Sequence, residues 1–156
     1  MKTIASILAI FLFASATAQT KAEKIWKYAN DHLGQKIGNG YCDELIIYAF
    51  AETCGCRVKE KVGRGRYRYY VGVEVSADSI KPGDIVDFRC FSKKTGKEVP
   101  GHVGVVNRIS GEWIYVIHQN NGWTKRKDAF LLEADIDEIT EGFYDYNYTI
   151  TYYRPQ

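Results

Sequence analysis

Gly38-Asn39-Gly40-Tyr41-Cys42-Asp43-Glu44-Leu45-Ile46 is the stretch on which the reading of this 156-residue chain turns. Its glycines make a turn, and Leu45, Ile46, Tyr48, Ala49 and Phe50 follow as an apolar run that Gly55 ends. The spacing predicts a helix over Cys42 to Thr53, opened by the cysteine. A thiol there faces the positive end of the helix dipole, which favours the thiolate. The glycines leave the sulfur uncrowded. Downstream stand Gly101-His102-Val103-Gly104-Val105-Val106 and Tyr115-Val116-Ile117-His118-Gln119-Asn120. The turn Ser110-Gly111 makes them partner strands of a hairpin. Cysteine, then histidine, then a further polar residue is the order of a thiol nucleophile, its base and the base's orienter. The candidates are Cys42, His102 and either His118 or Asn120, with His118 favoured. Alternation puts His118 and Asn120 on one strand face and Gln119 on the other. His32, late on a solvent-facing helix, is set aside.

The flanks set the fold class. Ala22 to Leu33 reads as a helix with Ile25, Trp26, Ala29 and Leu33 near one face. Val58 to Tyr70 reads as a loop leading into a strand near Arg68 to Val73. Pro82-Gly83 is a turn, Asp84 to Cys90 alternates as a strand, and Phe91 to Pro100 reads as a surface loop. Tyr146 to Tyr153 is a last strand. Two helices followed by an antiparallel meander make an α+β domain.

The ends, charge and cysteines narrow the class. Residues 1–18 have the form of a secretory signal peptide: Lys2, the apolar Ile4 to Phe13, and Ala16-Thr17-Ala18 before the cut. Residues 19–156 then form one domain, secreted or periplasmic, with no transmembrane segment. Lysine and arginine number 21 against 19 acidic residues. That balance gives no general reason to expect nucleic acid as a partner. Arg64-Gly65-Arg66-Tyr67-Arg68-Tyr69-Tyr70 mixes charge with aromatics, and Arg66 and Arg68 are candidate contacts for substrate carboxylates. Tyr41 and Asp43, beside the cysteine, are further candidate substrate contacts. One disulfide is expected, joining Cys90 to Cys54 or Cys56 and leaving Cys42 free. The C-x-C spacing with distant histidines matches no common zinc pattern, so neither metal nor other cofactor is expected.

Four stretches together resemble the papain-like NlpC/P60 and CHAP superfamily of cell-wall cysteine peptidases and amidases. They are Gly40-Tyr41-Cys42-Asp43-Glu44-Leu45, Ile80-Lys81-Pro82-Gly83-Asp84-Ile85-Val86-Asp87-Phe88, Gly101 to Val106, and Val116 to Asn120. The closing Tyr152-Tyr153-Arg154-Pro155 fits CHAP-like ends. The resemblance implies a papain-like fold with N-terminal helices on an antiparallel sheet. It carries the nucleophile to Cys42 and the base to His102. CHAP domains usually have glutamate where His118 stands and asparagine where Asn120 stands, whereas NlpC/P60 domains often have a histidine at 118. The implied reaction is hydrolysis of a peptidoglycan amide through a thioester, by a monomer acting on peptidoglycan peptides. Two rival readings follow: a non-catalytic wall-binding or inhibitory domain on the same scaffold, and an interbacterial wall-degrading toxin.

Overall fold

The computed structural model describes residues 18–55, 59–63, 66–69, 72–119 and 130–156, with backbone alone for 59–63 and 66–69. Residues 1–17, nearly all of the expected signal peptide, lie outside the described residues, as does Asn120. Helix α1 runs Lys21–Asp31 and α2 runs Cys42–Cys54. Thr20 and Glu23 cap α1 reciprocally: Thr20 Oγ1 accepts from the Glu23 amide at 3.2 Å, and Glu23 Oε2 from the Thr20 amide at 2.7 Å. Gly55, at φ 64°, closes α2 in the left-handed conformation that glycine adopts without strain. Of the expected apolar face of α1, Ile25 and Ala29 are buried, while Trp26 and Leu33 stay exposed.

Two strands, β1 (Lys59–Gly63) and β2 (Arg66–Tyr69), pair as a small separate hairpin where a loop was expected. The main sheet is antiparallel and six-stranded, made of β3 (Val73–Val75), β4 (Ile85–Ser92), β5 (Glu98–Ser110), β6 (Trp113–His118), β7 (Leu132–Asp135) and β8 (Tyr146–Arg154). Its order, β3-β8-β4-β5-β6-β7, inserts the last strand between β3 and β4 and so departs from a plain meander. The short helix α3 (Ile136–Glu141) follows β7. Neither β7 nor α3 was legible in the sequence. Four and six residues are too few to establish a period.

The sheet carries a core on each face. Ile85, Val103, Val105 and Ile117 pack with Ile25, Ala29, Leu45, Ile46, Ala49 and Phe50 of the two long helices. Val86, Phe88, Cys90, Val106 and Val116 pack on the other side with Ile139 and Phe143. This two-sided burial explains why Ile85 and Val86 of β4, and Val105 and Val106 of β5, are consecutive buried apolar residues. The expected loop Phe91 to Pro100 is instead the tip of the β4–β5 hairpin. Pairing continues past a bulge as Cys90↔Val99 and Phe91↔Glu98, with the Arg89–Glu98 ion pair at 3.0 Å. Its polar composition marked exposure and hid the pairing.

The expected disulfide to Cys90 is not formed. Cys90 is a fully buried free thiol in the second core, whereas Cys54 packs against the first core across the sheet and is itself disulfide-bonded. The intervening strands separate the two sulfurs. Cys42 is free, as expected.

Pro82-Gly83-Asp84 fixes how α1 meets the sheet. Gly83 has φ +90°, and a Cβ there would lie 2.1 Å from the Ala22 carbonyl oxygen. Its N–H donates to Val106 O at 2.8 Å, and the Val106 N–H donates to Asp84 O at 2.8 Å. Asp84, fully buried, takes Arg154 Nε at 3.0 Å, Arg154 Nη2 at 2.8 Å and the Lys81 amide at 2.8 Å. Arg154 thereby ties the end of β8 to this turn. Gly83→Ala should cost at least about 3 kcal/mol in thermal or denaturant unfolding, combining left-handed strain with backbone overlap. Gly96→Ala, at φ 64° in open space, should cost about 1 kcal/mol. Equal losses at both positions would contradict the packing argument.

Candidate functional site

Cys42 is the first residue of α2. Three contacts hold the turn before it. The Tyr41 N–H donates to Glu44 Oε2 at 3.1 Å, and Asn39 Nδ2 donates to Glu44 Oε1 at 3.1 Å. Gly38 leaves room for that carboxylate, because a Cβ there would be 2.8 Å from Glu44 Cδ. The third is Gln119, a fully buried side chain just past β6. Its Oε1 accepts from the Ile37 amide at 3.1 Å, and its Nε2 donates to Ile37 O at 3.0 Å and Tyr41 O at 2.7 Å. Sequence reasoning missed this residue. The available signal was alternation, which puts Gln119 on the strand face opposite His118, toward the helices.

The sulfur rests against β5. The backbone amides of Val103, Asp43 and Cys42 favour its thiolate. Strand geometry explains why Val103 has an amide to give. The Val106 N–H points to β4, where Asp84 accepts it. Alternate amides of β5 therefore point the other way, toward β6. β6 ends at His118, so the Val103 amide meets the sulfur instead of a strand partner.

The helix-start amides favour the thiolate, as the sequence implied, but burial outweighs them. Desolvation first, and then the neighbouring Asp43 charge, push the Cys42 thiol up to about 11. The resting group is a protonated thiol rather than the thiolate expected.

His102 is one residue from Val103 and almost fully buried. Its Nε2 lies 3.0 Å from His118 Nδ1, and the rings meet edge-on with centroids 4.9 Å apart. The Phe88 ring packs on His102 at 6.0 Å. Gly104 permits the close approach of β6, since a Cβ there would lie 2.4 Å from Val116 Cγ1 and 3.3 Å from His118 Cβ. Burial lowers both imidazoles: His102 falls well below its ordinary value, with His118 adding to the effect, and His118 falls to about 4. Both are neutral at pH 7.

The structure thus brings His118 to His102 on the side of the sheet where Phe88 packs, whereas Cys42 packs with Val103 and the helices. Among the described residues, no hydrogen bond joins the Cys42 sulfur to either imidazole. Tyr41 is exposed beside the thiol. Arg66 and Arg68 belong to the separate β1–β2 hairpin. His32 is satisfied by Tyr28 O at 2.8 Å, in keeping with its being set aside. No group of three or more metal-ligating side chains occurs among the described residues. No described helix is long and apolar enough to cross a membrane.

No protein-family model matches the chain, and no curated protein does. Among solved structures, the fold is similar to that of Ly7917, at TM-score 0.58 and 14% identity over 87% of this chain. A second structure, of Ly7917 with the hydrolyzing product of MDP, gives TM-score 0.56 and 15% identity over 87% of this chain. The chain spans 63% of the length of Ly7917.

Two pH dependences follow. Iodoacetamide should label Cys42 with a rate that climbs about tenfold per pH unit from pH 7 to 10, because only the thiolate reacts. A plateau below pH 8 would contradict a raised thiol pKa. Stability should change on the acid side. The unfolded chain's imidazoles take up protons near pH 6.5, while folded His118 resists until about pH 4. The unfolded state binds more protons in that window, so stability is full above 6.5 and falls toward 4, by roughly 3 kcal/mol from His118. Urea unfolding of His118→Gln should show a smaller fall over the same range.

Proposed function

We propose that this chain is an exported cysteine hydrolase of the papain-like NlpC/P60 and CHAP type, cleaving amide bonds of peptidoglycan or its fragments. One observation carries the reading: Cys42 opens α2 with the Val103 amide among the groups that favour its thiolate, and His102, which precedes Val103 on β5, has its Nε2 3.0 Å from His118 Nδ1. The likeness to Ly7917, solved with the hydrolyzing product of MDP (muramyl dipeptide), supports the substrate class.

The protonation states define the chemistry. To act as a base, His102 must present a bare Nδ1. Its proton then sits on Nε2 and is donated to His118 Nδ1, which places the His118 proton on Nε2. His102 Nδ1 takes the thiol proton as the sulfur attacks the substrate carbonyl carbon. The carbonyl oxygen gains the charge, and the amides at the start of α2 can hold it. Collapse breaks the carbon–nitrogen bond, and the leaving amine takes the proton from His102. A thioester on Cys42 remains. Water, deprotonated by His102, attacks it, releasing the carboxylic acid and restoring the thiol. His118 orients the ring and supplies no negative charge, so His102 is a weaker base than one backed by a carboxylate. Tyr41 and Asp43 flank the bond to be cleaved. Arg66 and Arg68 are assigned to substrate carboxylates.

The protonated thiol, without an imidazole bond at rest, favours a second reading: a peptidoglycan-binding domain that keeps the scaffold and lacks turnover. Digestion of purified peptidoglycan and of muramyl dipeptide separates the two. The hydrolase reading predicts released amine with the wild-type chain and none with Cys42→Ala or His102→Ala. His118→Gln should retain more activity than either, because an orienter contributes less than the nucleophile or base. Asn120→Ala losing far more than His118→Ala would shift the orienter to Asn120. Binding with no turnover by the wild-type chain would establish the second reading.

A further inference from the structure

Gln119 is a fully buried amide whose three hydrogen bonds all go to the chain on the N-terminal side of Cys42. Two of them form a closed pair with Ile37, its N–H at 3.1 Å and its carbonyl at 3.0 Å. That pair is enough to pin the turn to the end of β6. The third has no such structural duty. Nε2 donates to Tyr41 O at 2.7 Å, although that carbonyl already accepts from the Glu44 amide of its own helix at 3.1 Å.

Tyr41 O belongs to the peptide plane that ends in the Cys42 N–H. A trans peptide is planar, so gripping its oxygen fixes the direction of the hydrogen on the opposite side. That N–H belongs to the first residue of α2 and is among the backbone groups that favour the thiolate. We propose that Gln119 is a positioning residue of this site, setting the Cys42 peptide plane so that its amide faces the sulfur and the oxyanion formed beside it. This role rests on the hydrolase reading for its catalytic consequence and on the geometry alone for its effect on the thiol.

Gln119→Glu tests it, because glutamate keeps the shape and removes the donors. The ionised side chain can still accept from the Ile37 amide but has nothing to give Ile37 O or Tyr41 O. The first readout is the alkylation rate of Cys42 by iodoacetamide. Losing amides from the sulfur disfavours the thiolate, so labelling at pH 8 should slow by ~10-fold or more. Unchanged labelling overturns the proposal. Faster labelling also overturns it, since it would mean that Gln119 only keeps the turn closed. The second readout uses muramyl dipeptide. kcat should fall by ~100-fold, the usual consequence of a misplaced oxyanion donor, with KM within about threefold of wild type. Activity should partly return at acidic pH, where the protonated carboxyl donates one bond; a loss that is equal at every pH overturns the role. If the wild-type chain does not cleave muramyl dipeptide, the hydrolase reading fails, and the alkylation arm still decides the role of Gln119. If Gln119→Glu does not fold, the wild-type chain decides: the Gln119 side-chain amide protons, followed by 15N NMR, should be protected from solvent exchange and should shift when Cys42 is alkylated. Exchange at the rate of a free amide overturns the proposal.

Discussion

β6 ends at His118, and that early end leaves the Val103 amide of β5 facing a gap rather than a strand. The site is organised around that one amide. It favours the thiolate of Cys42, whose side chain packs against the first core at the start of α2. His102, the residue before Val103, packs on Phe88, and the last residue of β6 is its ring partner. Gln119, the first residue beyond the strand, closes the gap from the other side by gripping Ile37 and Tyr41. A strand one pair longer would bury the amide in the ladder and leave the thiol without its anchor.

The rest of the chain holds that edge still. The buried Asp84 and the partly exposed Arg154 form a two-pronged ion pair that connects the turn before β4 to the end of β8. Removing Arg154 leaves the buried Asp84 carboxylate unpaired, at about 3–5 kcal/mol. Gly83 lets α1 pack against the same turn. One residue past the strand position that bonds this turn, Asn107 stands at a bulge of β5 and takes Trp26 Nε1 at 2.8 Å and Asn30 Nδ2 at 2.9 Å. Helix α1 is thus fastened near its start and near its end to neighbouring points of β5. Leu45, Ile46, Ala49 and Phe50 fasten α2 by burial. Rigid neighbours on both sides suit chemistry that depends on the direction of a few amides.

Much of this was legible before any coordinates. The glycine turn, the apolar run and Gly55 gave α2 to within a residue, because caps and periodicity are local properties. Ser110-Gly111 gave the β5–β6 hairpin, and with it the nearness of His102 and His118. What the sequence hid was non-local. The thiol pKa depends on how deeply α2 is packed, so the dipole argument alone had the wrong sign. The expected bridge to Cys90 failed because the sheet separates the two cores, and no spacing reveals which face a strand cysteine takes. Gln119 looked unremarkable because its partners are 78 and 82 residues away.

The central claim is that Cys42 becomes covalently acylated. Acid-quenched turnover of muramyl dipeptide or peptidoglycan, followed by peptide mass spectrometry, tests it directly. The account predicts an acyl mass on the peptide carrying Cys42, labile to hydroxylamine as a thioester is, and absent from Cys42→Ser. Turnover with Cys42 unmodified at every time point, or an acyl group on another residue, would contradict it.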